Sequence, residues 1–167
     1  MMDCWNFSIN YLLQIKDIPY QESNFIFSEV FEWVSLLSKI GIVLLDYYKE
    51  VSIIHEHEEI FINLTEDEIP LMNEYIKWLD DFQKKWWKYS NREISLDFLE
   101  ENLKDNYCII PIKKWEWSHL VILKEMKNDD VILIDNKKWE YSISKDEFND
   151  LISLYNWKYV LFVNKLF

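Results

Sequence analysis

The stretch that decides the fold is residues 118–136, SHLVILKEMKNDDVILIDN. Two runs rich in Ile, Val and Leu, HLVIL and VILID, flank the polar segment KNDD. Apolar, β-branched runs separated by an Asn/Asp turn read as two antiparallel strands. A hairpin sets its outer ends side by side. His119, which opens the first run, is therefore expected beside Asp135, which closes the second.

Working outward, YCIIPIKKW (107–115) and WKYVLFVNK (157–165) are two further strand-like runs. SLDFLEENLKDN (95–106) reads as a short helix opening on Ser95, with Phe98, Leu99 and Leu103 on one side. SISKDEFNDLISLY (142–155) reads as another, with Ser144 as its N-cap. The half before about residue 94 reads as mainly helical. Asp3 suits a helix cap, and Trp5, Ile9, Leu12 and Leu13 recur at helical spacing behind it. Pro19 is expected to end that helix. NFIFSEVFEWVSLLSKIG (24–41) reads as a second helix stopping at Gly41, and TEDEIPLMNEYIKWLDDFQKKWWKY (65–89) as a third with an acidic start. Residues 42–64 fit strands or an insertion. The expectation is one α+β domain over 1–167, with a helical half to about residue 93 and an antiparallel sheet in about 94–167. No internal repeat, linker or low-complexity segment interrupts it.

Composition narrows the function classes. The chain has 167 residues, half of them hydrophobic, with nine Trp, one Gly and no Ala. That supplies a sizeable core without disulfides. A single glycine leaves no Gly-rich loop to cradle a phosphate. A formal charge of −12 repels nucleic-acid backbones and anionic membranes, so neither is an expected partner. No apolar stretch is long enough to span a bilayer. MMDCWNFS carries no signal-peptide pattern, and Cys4 and Cys108 make no disulfide framework. A cytoplasmic protein with reduced thiols is expected.

Three residues then form a chemical set. Cys4 stands at the start of a helix, where the dipole favours a thiolate. His119 is a candidate base for that thiol, and Asp135 a candidate for orienting the imidazole. Cys108, inside the apolar run YCIIPI, is expected to be buried and inert. His55 and His57 in HEHEE share one face if the segment is a strand, but no third ligand follows by spacing, and no metal or organic cofactor is expected. Trp5, Trp115 and Trp117 flank the expected site and are candidates for lining a substrate groove.

The order of these segments resembles the papain-like superfamily, in particular the C39-like peptidase families. DCWNFSINYLL looks like their nucleophile helix, LDFLEENLKDNYCIIPI like the helix and strand that follow, HLVIL like their His-led strand, DVILIDN like the strand ending in Asp, and SKDEFNDLI like the next short helix. The resemblance covers residues 1–24 and about 94–164. It implies a papain-like fold with Cys4 as nucleophile, His119 as base and Asp135 as orienting acid.

Two positions depart from that pattern. These families carry a Gln several residues before the Cys, where this chain has Met1, Met2 and Asp3, and a Gly after it, where this chain has Trp5. Asn6, Asn10 and Gln14 stay open as the second oxyanion donor. Losing one such donor costs about 100–1000-fold in rate, which favours activated acyl donors over peptide bonds. The superfamily also includes butirosin-type acyltransferases, which move an acyl group from a carrier-protein thioester to an amine. The resemblance thus implies acyl transfer, with an acyl or peptidyl carrier protein as donor and a small-molecule amine as acceptor, in specialised-metabolite assembly. The lysines at 84–88, 113–115 and 137–139 are candidate docking points for an acidic carrier. A C39-like peptidase or amidase is the second reading, and a non-catalytic binding or immunity protein the third.

Overall fold

The structure, a computed structural model, describes residues 4–18, 34–56, 88–114, 117–153 and 158–166, with Asn73, Lys77, Asp80 and Lys84 between them. Two helices come first, α1 (Cys4–Ile15) and α2 (Val34–Leu45). Strand β1 (Val51–His55) and strand β2 (Lys88–Asn91) follow. Helix α3 (Leu96–Asn102) leads into β3 (Asn106–Lys114), β4 (Trp117–Lys127), β5 (Asp130–Asp135) and β6 (Trp139–Ser144). Helix α4 (Lys145–Ser153) and strand β7 (Tyr159–Asn164) close the chain. The strands form one sheet in the order β2-β1-β7-β3-β4-β5-β6. The chain is therefore α+β.

Helices cover both faces of this sheet. On one face Ile9, Leu12 and Leu13 of α1 and Ile40 and Leu44 of α2 pack on Ile109, Leu120, Ile122, Ile134 and Leu161. On the other, Leu99 of α3 and Phe148 and Ile152 of α4 pack on Ile110, Ile112, Val121, Leu133 and Phe162. Burial on both sides explains why the central strands read as unbroken apolar runs rather than alternating ones. The hairpin forms as expected. Lys127 pairs with Asp130 across the two-residue loop, and Asn128 takes the left-handed φ of 50° that Asn tolerates.

Several boundaries differ from the sequence reading. The first helix ends at Ile15, and Pro19, expected to end it, lies outside the described residues. Asp17 adopts φ 56° and Ile18 N–H returns to Leu13 O at 3.0 Å, a left-handed cap. The Asp3 cap also lies outside the described residues. Helix α2 runs through Gly41 to Leu45. Burial of Ile40 and Leu44 outweighs the roughly 1 kcal/mol that an interior glycine costs. Residues 24–33, the start of that expected helix, are not among those described.

The sheet is also larger than expected. It takes β1 and β2 from the first half, and these two pair in parallel, so the sheet is mixed and not confined to the second half. β1 falls within the ambiguous 42–64 segment. β2 takes Lys88 and Tyr89, the tail of the expected third helix, most of which lies outside the described residues; Asn73, Lys77 and Asp80 are helical. The Ser144 cap forms as expected: α4 starts at Lys145 with Ser144 Oγ accepting from Glu147 N–H at 3.1 Å, and residues 142–144 before it close β6. Ser95 caps α3 in the same way, through Phe98 N–H at 3.2 Å.

Candidate active site

α1 is tied down at both ends of its length. The Tyr48 hydroxyl donates to Leu12 O at 2.6 Å and the Lys16 ammonium to Tyr47 O at 2.6 Å, fixing the C-terminal turn against the end of α2. Nearer its start, the Phe7 ring meets the Trp139 ring edge-on at 5.7 Å. Trp139 pairs with Asp135 at the end of β5. The first turns of α1 therefore lie toward the end of the sheet where β5 stops.

Cys4 is the first residue of that helix and half-buried. It packs against the cluster that contains Leu120 and Ile134, the chain neighbours of His119 and Asp135. Its carbonyl accepts the Ser8 hydroxyl at 2.9 Å. Of the candidate oxyanion amides, Asn10 Nδ2 donates to Asn6 O at 2.9 Å and to Asn6 Oδ1 at 2.7 Å, inside the helix. Gln14 is exposed and, ten residues along, about 15 Å from Cys4 on the helix axis. Asn6 is in the first turn with Cys4, but side chains two apart on a helix do not face each other.

His119 and Asp135 do come together: Nε2 lies 3.6 Å from Asp135 Oδ2. Asp135 is buried, and its other oxygen, Oδ1, accepts the N–H groups of Lys137 and Lys138, each at 2.6 Å. Burial is the largest single influence on this carboxyl and opposes its charge. The two turn amides, the imidazole and a weaker interaction with the Tyr141 hydroxyl outweigh it, and the pKa falls below the ordinary carboxylate value. Burial, and after it the same carboxylate, pushes the Tyr141 hydroxyl well up. Tyr141 was not legible as a site residue, because only the pairing of β6 with β5 brings it here: it stands opposite Leu133.

Strand alternation assigns these groups to faces. His119 shares the parity of Val121 and stands opposite Ile112, both in the cluster under α3 and α4. Asp135 shares the parity of Leu133, in that same cluster. Cys4 packs on the other cluster. Cys4 and the His119–Asp135 pair thus belong to opposite faces of the sheet.

The aromatic candidates divide. Trp5 is half-buried against the α1 and α2 cluster. Trp117 is the first residue of β4, with its side chain outside the described residues, as is all of Trp115. His55 is buried in β1 and His57 lies outside the described residues; among those described, no three His, Cys, Asp or Glu side chains gather to hold a metal. No described helix is long and apolar enough to cross a membrane.

Cys108 is fully buried opposite Leu123, and burial drives its thiol pKa well up. Iodoacetamide at neutral pH is expected to modify Cys4 faster than Cys108 by on the order of tenfold or more, because the thiolate is the reacting species. Peptide mapping of a labelling time course checks this, and equal rates would remove Cys4 from consideration as a nucleophile. No known protein family, curated protein or solved structure matches the chain.

Proposed function

We propose that the protein is a cysteine-dependent acyltransferase with Cys4 as nucleophile, His119 as base and Asp135 as the group that orients the imidazole. The observation that carries this reading is the 3.6 Å approach of His119 Nε2 to an Asp135 kept ionised by its turn, at the end of the sheet toward which α1 starts. The imidazole takes the thiol proton, and the thiolate attacks the carbonyl carbon of a thioester. The C–S bond to the donor breaks, and the departing sulfur receives the proton. An amine then attacks acyl-Cys4, His119 removes its proton, and the amide leaves as the Cys4 thiol re-forms. The thioester supplies the driving force, so the cycle needs no cofactor. A carrier-protein thioester, an amine acceptor and a cytoplasmic setting suit this chemistry. The papain-like relationship, C39-like included, belongs to the same proposal.

A second reading has its own observation. Cys4 packs with the sheet face opposite to that of His119 and Asp135, which favours a binding protein that uses the fold without the chemistry. One experiment separates the two. Incubation with acyl thioesters is expected to add one acyl group to Cys4 by intact-mass spectrometry, and an added amine to discharge it as amide. Cys4→Ala is expected to give neither, and His119→Ala to acylate about a hundredfold more slowly. Absence of any adduct from every thioester tried would favour the binding protein. Hydrolysis of peptides with no need for amine would replace the transferase with a peptidase.

A further inference from the structure

Three non-glycine residues among those described hold a positive φ: Asp17 at 56°, Asn128 at 50° and Trp139 at 60°. Asp and Asn tolerate the left-handed region, because their short polar side chains bond locally to the backbone. Trp has no such compensation, and its Cβ crowds the carbonyl oxygen there. A bulky residue in this region is an outlier that persists only when its surroundings impose it. Here they do. Asp135 Oδ1 clamps the turn through the amides of Lys137 and Lys138, and Trp139 is held in register opposite Asp135. Yet the indole is not placed there to fill the core, since Trp139 is 62 % exposed. Among the described residues, its one ring contact is the edge-on approach of Phe7 at 5.7 Å. An unfavourable backbone thus presents a large aromatic surface to water, directly opposite Asp135 in the β5–β6 pairing and against Phe7, which lies three residues along α1 from Cys4.

The acidic neighbours of Trp139 are already taken up: Glu140 pairs with the Lys124 ammonium at 2.5 Å, and Asp135 holds the turn amides and faces His119. Lys137 and Lys138 are both exposed in the same turn, on a chain whose formal charge is −12. The Lys138 ammonium lies 4.9 Å from the Tyr141 ring, which keeps one positive charge close to the sheet. We propose that Trp139, backed by Phe7 and flanked by Lys137 and Lys138, is a binding ledge for a planar aromatic ligand that carries a negative charge. The ring stacks on the indole and the anion pairs with the lysines. This ledge stands whether or not Cys4 is acylated, so its failure and the failure of the acyl-transfer reading are separate results.

N-benzoylglycine is a suitable probe, because it carries a ring and a carboxylate and cannot acylate a thiol. The signal is the indole Nε1–H resonance of Trp139 in a ¹⁵N–¹H spectrum, assigned by its loss in Trp139→Gly. N-benzoylglycine is expected to shift that resonance saturably. N-benzoylglycinamide, without the charge, is expected to bind several-fold more weakly, with the difference shrinking as salt screens the lysines. N-acetylglycine, without the ring, is expected to leave the resonance in place. Trp139→Gly is expected to melt at the same temperature as the parent or higher, since glycine is at ease at φ 60°. No shift with N-benzoylglycine, or an equal shift with N-acetylglycine, overturns the ledge. A Trp139→Gly protein that melts much lower, or does not fold, overturns it too, because the indole would then be structural.

Discussion

Asp135→Ala is expected to destabilise the protein by about 2–4 kcal/mol, read from urea or thermal unfolding. The carboxylate is buried: Oδ1 accepts two turn amides at 2.6 Å, and Oδ2 faces the His119 imidazole at 3.6 Å, an ion-pair and not a hydrogen-bond distance. Removing the acceptor leaves buried donors unmet, which costs more than the net worth of the bonds themselves. Lys137 and Lys138 are exposed, so their amides recover some hydration, which keeps the figure below the cost of breaking a fully enclosed pair. The folded-state pKa of Asp135 is lowered, so its contribution is present above the unfolded carboxyl value, about 3.9, and is lost as pH falls through the folded one. The gap between the parent and Asp135→Asn should therefore narrow below about pH 4. A loss under about 1 kcal/mol for Asp135→Ala would mean that the turn holds itself without the carboxylate.

Phe148→Ala is expected to cost about 3–5 kcal/mol, a large share of the roughly 5–15 kcal/mol that holds a domain folded. Phe148 is fully buried in α4 and belongs to the cluster with Leu99, Val121, Leu133 and Phe162. It enters from a nine-residue helix whose other buried side chain is Ile152. With so few anchors, removing the ring both opens a cavity and loosens the helix over the face that carries His119 and Asp135. Denaturant unfolding measures the loss. Phe148→Leu, which leaves most of the volume filled, should cost less than half as much, and equal losses for the two would point to ring packing, not cavity volume, as the source.

The parts of the fold that the sequence made legible are those encoded within a few residues. The apolar runs on either side of KNDD meet across a two-residue loop, and that local event is enough to carry His119 toward Asp135. Ser95 and Ser144 cap their helices because the hydroxyl reaches an amide three residues on. Ile9, Leu12 and Leu13 are buried because helical spacing puts them on one stripe. What the tertiary structure alone decided depends on groups far apart in the chain. β2, with sequence KYSN, has no apolar signature and becomes a strand through its pairing with β1. Gly41 stays inside a helix because the burial of Ile40 and Leu44 outweighs its local preference. β6 brings Tyr141 to Asp135 and sets Trp139 against Phe7 from another helix. Above all, the faces of His119 and Cys4 follow from which clusters Leu120 and Val121 join. A strand exposes its two sides equally in sequence, and only the helices laid over each side tell them apart.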